Sequence, residues 1–124
     1  MSQINSFRDL IVYKKAYELA MEIFRISKEF PKEEKYSLTD QIRRSSRSVT
    51  SNIAEAWARK HYVKSFTNKL TDSLGEEYET EVWLDFSKDC EYIKEIKHHE
   101  LINNYDEVRK MLISIINHPE KWCS

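Results

Sequence analysis

The chain is poor in the residues that a β-rich fold requires at its turns. Its 124 residues include only one glycine, Gly75, and two prolines, Pro31 and Pro119. An all-β domain needs turn residues about every 8–12 positions, so this scarcity argues against that class and favours an all-α protein. A chain of this length also predicts one domain, spanning residues 1–124.

Long hydrophobic segments are absent as well. No apolar run approaches the roughly 20 residues that span a bilayer, and the first ten residues lack the basic start and apolar stretch of a secretory signal. The two cysteines, Cys90 and Cys123, show neither disulfide nor metal-site spacing. We therefore expect a soluble cytoplasmic protein with reduced thiols and no membrane contact.

Patterns typical of catalysis or metal binding are scarce. A di-iron bundle needs Glu-x-x-His on two helices, whereas this chain has one such spacing, Glu95 to His98, at a predicted helix start. No glycine-rich phosphate loop is present. The sequence predicts no metal, no cofactor and no enzymatic activity.

Neither sign of charge predominates in the chain as a whole, but each predominates in one segment. The net charge is −1, yet residues 41–60 carry a net charge of +4 and residues 72–91 a net charge of −7. A nucleic-acid-binding domain usually has a basic character overall, and the pI of this chain is near 6.4. Segments of opposite charge within one chain can also pair with each other or with a second copy.

Apolar residues recur at helical spacing in four segments, at about residues 7–29, 38–60, 63–92 and 97–117. In the first, Leu10, Tyr13, Tyr17, Ala20 and Phe24 form the main stripe, which Ala16, Leu19 and Ile23 widen. In the third, the pattern leaves open whether Tyr78 or Glu77 takes the apolar position, and it includes Phe86 and Cys90. Short connections between four helices predict an antiparallel up-down-up-down four-helix bundle.

The second helix has two distinct faces on a helical wheel. One is apolar and belongs to the core; it comprises Ile42, Ser46, Val49, Ile53, Ala56 and Trp57. The other combines arginines with small residues; it comprises Arg43, Arg47, Ser51, Ala54 and Ala58, with Arg44 at its margin. Small residues allow another backbone to approach, and arginines offer forked donors to carboxylates or phosphates. We interpret this second face as a contact surface.

Two partners for this surface stay open. The arginines can pair with the acidic residues of helix three, within one subunit or across an interface; these are Glu76, Glu77, Glu79 and Asp85. Alternatively, Arg43, Arg44, Arg47 and Arg59 contact nucleic-acid phosphates. We expect Ser51 and Asn52 to be structural polar residues that bond a neighbouring helix or fix its register.

Three stretches resemble the 23S rRNA intervening-sequence family. They are "DLIVYKKAYELA" (9–20), "FPKEEKYSLTDQIRRSSRSVTSNIAEAWAR" (30–59) and "GEEYETEVWLDFSKDCEYI" (75–93). The ordered motif Gln-x-Arg-Arg followed by Ser-x-x-Ser-Asn-Ile-Ala-Glu is specific and begins at Gln41. Ala56 stands where the family usually has glycine.

The resemblance implies a four-helix bundle that assembles into a homopentamer, is encoded in bacterial genomes and has no enzymatic activity. A related branch serves as the accessory protein of diversity-generating retroelements, in which a basic pentamer binds nucleic acid. The leading hypothesis is therefore a self-assembling adaptor or scaffold associated with rRNA intervening sequences. The alternative is a direct RNA- or DNA-binding protein that uses the Arg43/Arg44/Arg47 face.

Overall fold

The computed structural model describes residues 4–123, which contain four long helices and, within that range, no strand. The helices are α1 (Ile11–Ser27), α2 (Leu38–Ala58), α3 (Val63–Asp89) and α4 (Glu95–Asn117). Three short 3-10 turns flank them, at Phe7–Asp9, Lys32–Glu34 and Pro119–Lys121. The predicted all-α four-helix bundle is confirmed.

Hydrogen bonds between α2 and α3 fix the antiparallel arrangement of these two helices. Ser73 donates from its hydroxyl to the backbone carbonyl of Val49 over 2.7 Å. About two turns further along α3, Thr80 donates to the hydroxyl of Ser45 over 2.9 Å. Position numbers rise along α3 as they fall along α2, so the helices run in opposite directions. All of these side chains are small, which lets the two backbones pack closely.

Ion pairs link α1 to α4 and close the bundle. Lys15 lies 2.7 Å from Glu107, and Lys97 lies 2.8 Å from Glu22. The numbering again runs in opposite directions along the two helices. Since α1 also packs on α2, and α3 on α4, each helix lies between two neighbours in an up-down-up-down order.

Two helix ends differ from the sequence prediction. The chain starts with a capping box in which Ser6 accepts from Arg8 N–H while Asp9 accepts from Ser6 N–H, and α1 itself begins only at Ile11. The second difference is at the end of α3, which stops at Asp89 rather than near residue 92. Glu91 there adopts a left-handed conformation with φ of 66°, which a continuing helix does not accommodate.

The core lies along the bundle axis and follows the predicted α2 face closely. The buried apolar residues on α2 are Leu38, Ile42, Val49, Ile53 and Ala56. On α1, however, the buried stripe is Val12, Ala16, Leu19, Ala20 and Ile23. Of the predicted main stripe, Leu10 and Ala20 are buried, Tyr13 is half-buried against the core, and Tyr17 faces outward.

Candidate interaction surfaces

An open apolar groove of about 530 Å³ runs between α1 and α2. Its lining on the α1 side includes Tyr13, Tyr17 and Met21, and on the α2 side it includes Ser51 and Ala54. Tyr17 is 51% exposed despite its place in the predicted core stripe. The small α2 residues leave the groove open, because they do not fill the space beside the α1 aromatic rings. We call this surface the α1–α2 groove.

Arg43 and Arg47 lie beside the α1–α2 groove and contact Phe24 of α1. The guanidinium carbons lie 4.8 Å and 5.7 Å, respectively, from the ring centroid. Arg43 also donates from Nε to the hydroxyl of Ser27 over 2.8 Å. Cation–π contacts of this kind hold a guanidinium in place without removing its charge. The pair is thus fixed at one end of the groove, where Arg47 remains exposed.

The other two predicted arginines point elsewhere. Arg44 is largely exposed and lies 3.9 Å from Asp40, one turn earlier on α2, and its charge also acts on Glu76 of α3. Arg59 follows the end of α2 and donates to the hydroxyl of Ser65 over 3.3 Å. The four arginines therefore do not form one cluster, and the hypothesis that they contact nucleic acid together stays a prediction.

The acidic residues predicted as partners are likewise spread around α3. Glu76 is half-buried next to Ser48, and burial, with the nearby carboxylate of Glu79, raises the pKa of Glu76. Glu79 accepts from the indole N–H of Trp83 over 3.2 Å. Asp85 lies 2.7 Å from the imidazole of His98. Among residues 4–123, no ion pair joins the α2 arginines to these carboxylates, although the charge of Arg44 acts to lower the pKa of Glu76.

Glu77 is fully buried between α3 and α4. No donor reaches either of its carboxylate oxygens, and the buried hydroxyl of Tyr105 is also without a partner. Burial, together with the neighbouring carboxyl of Glu81, raises the pKa of Glu77 to about 9, against the opposing charge of Arg109. The same Arg109 lies 2.7 Å from Glu81 and also contacts Asp106. Glu77 thus belongs to the interior of the subunit rather than to its surface.

A second apolar surface lies on the outside of α3. Gly75, Tyr78, Val82 and Phe86 recur at intervals of three and four residues and share one exposed face. Tyr78 is 50% exposed and Phe86 is 53% exposed. We call this surface the outer α3 face. The sequence pattern placed Tyr78 and Phe86 with the core residues, because periodicity does not distinguish an inner apolar stripe from an outer one.

Ser51, which was predicted together with Asn52 as a structural polar residue, lines the α1–α2 groove. Ser51 is exposed and donates to the carbonyl of Ser48 over 3.4 Å. Asn52 is half-buried.

Among residues 4–123, no group of three or more His, Cys, Asp or Glu side chains is arranged to hold a metal ion. In the same range, no helix has both the length and the apolar character needed to cross a membrane.

The fold and its surfaces define a small antiparallel helical bundle with two apolar surfaces that the subunit itself leaves open. A model of the 23S rRNA-intervening sequence protein family matches residues 8–114. The chain belongs to this family, as its Gln-x-Arg-Arg and Ser-Asn-Ile-Ala-Glu motifs predicted.

One solved structure supports the assignment. It is the crystal structure of a protein of unknown function from the S23 ribosomal protein family of Bacteroides thetaiotaomicron. The two chains are 36% identical and superpose with a TM-score of 0.78, over 86% of this chain and 96% of that chain. No protein with a curated description matches this chain.

Proposed function

We propose that this protein is a non-enzymatic, self-assembling helical bundle that serves as an adaptor or scaffold associated with rRNA intervening sequences. The observation that carries the proposal is the outer α3 face. Monomeric soluble proteins rarely expose contiguous apolar patches, and large ones mark interaction sites. The outer α3 face extends over about 16 Å of helix, from Gly75 to Phe86.

Gly75 is the strongest indication that another backbone approaches this face. A glycine within a helix costs about 1 kcal/mol relative to alanine, so its presence calls for a packing reason. Within the subunit, a methyl group added at Gly75 would meet no atom within 4 Å. The reason for glycine is therefore not internal packing, and a partner helix on the outer α3 face would supply it.

The partner we propose is a second copy, with its α1–α2 groove placed against the outer α3 face. Arg47 lines the groove and Arg43 lies next to it on the ring of Phe24, whereas Glu55, which also lines the groove, is paired with Lys69. The outer α3 face lies within the segment 72–91 of net charge −7. Glu79 flanks this face, and we expect its carboxylate to meet a guanidinium of the next subunit. Opposite charges at the two surfaces favour contact between them over contact of each with itself.

An interface between two different surfaces is heterologous. Repetition of such an interface gives a closed ring when the rotation per subunit closes, and an open filament otherwise. We propose a ring of five copies, the number that the family resemblance implies. A ring presents the remaining surface of each subunit several times, and this repetition is what an adaptor or scaffold uses to bind its partners with avidity.

The proposal is tested by multi-angle light scattering of the purified chain over a dilution series. The expected molar mass is a multiple of 14.9 kDa that stays constant until dilution reaches the dissociation constant. A mass of one chain at every concentration would contradict the proposal. Raised salt should weaken the assembly, because charge pairs at an interface rim are screened.

Substitution of Gly75 by alanine should change the stability of the single subunit and the stability of the assembly in opposite directions. The single chain should gain about 1 kcal/mol of unfolding free energy, since the new methyl group meets nothing and alanine is the better helix former. The assembly should dissociate at higher concentration than the wild type, because the methyl group occupies the space of the incoming backbone. Denaturant unfolding and light scattering measure the two effects. An assembly as stable as that of the wild type would remove Gly75 from the interface.

A further inference from the structure

The corner between α2 and α3 is rich in basic side chains. Residues 56–71 contain four basic side chains and no acidic one. Of these, Lys69 is neutralised by Glu55 at 3.2 Å and by Asp72 at 3.7 Å. The remaining three are Arg59, Lys60 and Lys64. In the part of the chain that the structure describes, no carboxylate lies within ion-pair distance of these three.

Aromatic rings lie among these cations. Tyr62, in the turn, is 72% exposed. Lys60 lies over the ring of the half-buried Trp57, with its ammonium nitrogen 3.9 Å from the ring centroid. A depression of about 530 Å³ is lined by Arg59, Tyr62 and Lys64. The paired side chains of Lys69 and Asp72 also line it, so the unpaired charge that faces the depression is positive. Cations placed beside an exposed ring are the features that bind the phosphates and stack the bases of single strands.

The opposite end of α2 has a similar turn without the same charge. Tyr36 precedes α2 and is 85% exposed, with the ammonium of Lys35 5.3 Å from its ring centroid. In residues 28–37, however, three lysines are balanced by three glutamates. An exposed tyrosine beside lysines is therefore common to both ends, and only the α2–α3 corner has excess positive charge.

We propose that the α2–α3 corner binds single-stranded nucleic acid. Arg59, Lys60 and Lys64 contact successive phosphates, and Tyr62 stacks on an unpaired base. One subunit carries all of these residues, so the inference does not depend on self-assembly. An assembly would repeat the corner in every copy and strengthen binding to a long strand. This site is distinct from the Arg43/Arg44/Arg47 face.

The test is fluorescence anisotropy with a labelled single-stranded RNA of about 15 nucleotides, a length within the range of known single-strand sites. With three phosphate contacts, the logarithm of the association constant should fall with that of salt concentration with a slope of about −2. A single-stranded DNA of the same sequence should bind equally, because phosphate and stacking contacts are common to both. A duplex that competes as well as the single strand would contradict stacking by Tyr62.

Two variants at the corner separate charge from stacking. Arg59→Glu combined with Lys64→Glu should weaken binding at least tenfold and bring the slope closer to zero. Tyr62→Ala should weaken binding roughly fivefold or more without changing the slope. The matched controls at the other end of α2 are Lys32→Glu with Lys35→Glu, and Tyr36→Ala; these should bind within twofold of the wild type.

Three results would overturn the inference. One is an absence of RNA binding at low salt by the wild-type protein. Another is an equal loss of binding in the control variants. The third is competition by polyglutamate as effective as that by unlabelled RNA, which would assign the corner to an acidic protein. Light scattering of every variant checks the assembly; if a charge reversal changes the mass, Arg59→Gln with Lys64→Gln replaces it and should still weaken binding.

Discussion

Replacement of Glu77 by glutamine should raise the free energy of unfolding by up to about 3 kcal/mol at pH 7. The gain should vanish near pH 4.5. The buried carboxyl holds its proton in the folded chain up to a pKa of about 9, whereas the unfolded chain releases it near 4.5. Between these values the folded state binds more protons, so the wild type loses stability as pH rises. Glutamine is neutral throughout and its amide can donate to Glu81, as a protonated Glu77 can.

Denaturant unfolding at a fixed protein concentration from pH 4 to 9 measures this effect. Tyr105, Asp106, Arg109 and Glu81 surround the group and are unchanged in the variant. The matched control is Glu29→Gln on an exposed carboxylate, which should leave the pH dependence as it is in the wild type. A difference between Glu77→Gln and wild type that is constant with pH, or a variant that is less stable at pH 8, would contradict a neutral buried Glu77.

Substitution of Tyr17 or Phe86 by alanine should dissociate the assembly. Tyr17 lines the α1–α2 groove and Phe86 ends the outer α3 face, so each truncation removes an aromatic anchor from one side of the proposed interface. Anchors of this kind typically contribute about 2 kcal/mol or more, which corresponds to a dissociation constant at least roughly thirtyfold higher. Both side chains are half-exposed in the subunit, so the unfolding free energy of the single chain should change little.

Sedimentation velocity over a concentration series measures this dissociation. Tyr36→Ala is the matched control, since Tyr36 is highly exposed but belongs to neither surface. It should assemble like the wild type. If Tyr17→Ala and Phe86→Ala assembled as tightly as this control, the α1–α2 groove and the outer α3 face would have to bind something other than a second copy.

The sequence was sufficient to predict the helices and the α2 core. The spacing of Ile42, Val49 and Ile53 is strict, and these residues are fully buried. Composition excluded strands, and the turn residues near Pro31 and Pro119 bounded the helices to within a few residues. The family motif, which lies mostly on α2, extended this prediction to the whole bundle.

The sequence could not show which apolar residues lie on the surface of the bundle rather than in its core. Tyr17 and Phe86 have helical spacing with core residues, yet both are half-exposed. An apolar stripe that serves the core and a second contact is wider than one that serves the core alone, and periodicity does not divide it. This difference is itself informative, because Tyr17 and Phe86 lie on the two open surfaces. Cys90, which the pattern also placed with the core residues, is exposed at the end of α3.

The position of Glu77 also had to come from the structure. The segment 72–91 contains eight acidic residues, and the sequence gives no sign of which carboxylate is buried. The apolar pattern left Tyr78 and Glu77 as alternatives, and the structure buries Glu77. The hydrogen bond from the Ser73 hydroxyl to the Val49 carbonyl holds Ser73 against α2. With α3 in this orientation about its own axis, Glu77, one turn after Ser73, points inward and Tyr78 points outward.

The central claim is that two different surfaces of one chain bind each other, and a mixing experiment tests it most directly. Tyr17→Ala keeps an intact outer α3 face, and Phe86→Ala keeps an intact α1–α2 groove. Each variant alone should be monomeric by light scattering. An equimolar mixture should form a dimer of about twice 14.9 kDa and nothing larger, because only one interface can form. A mixture that stays monomeric, or variants that assemble alone, would contradict the account.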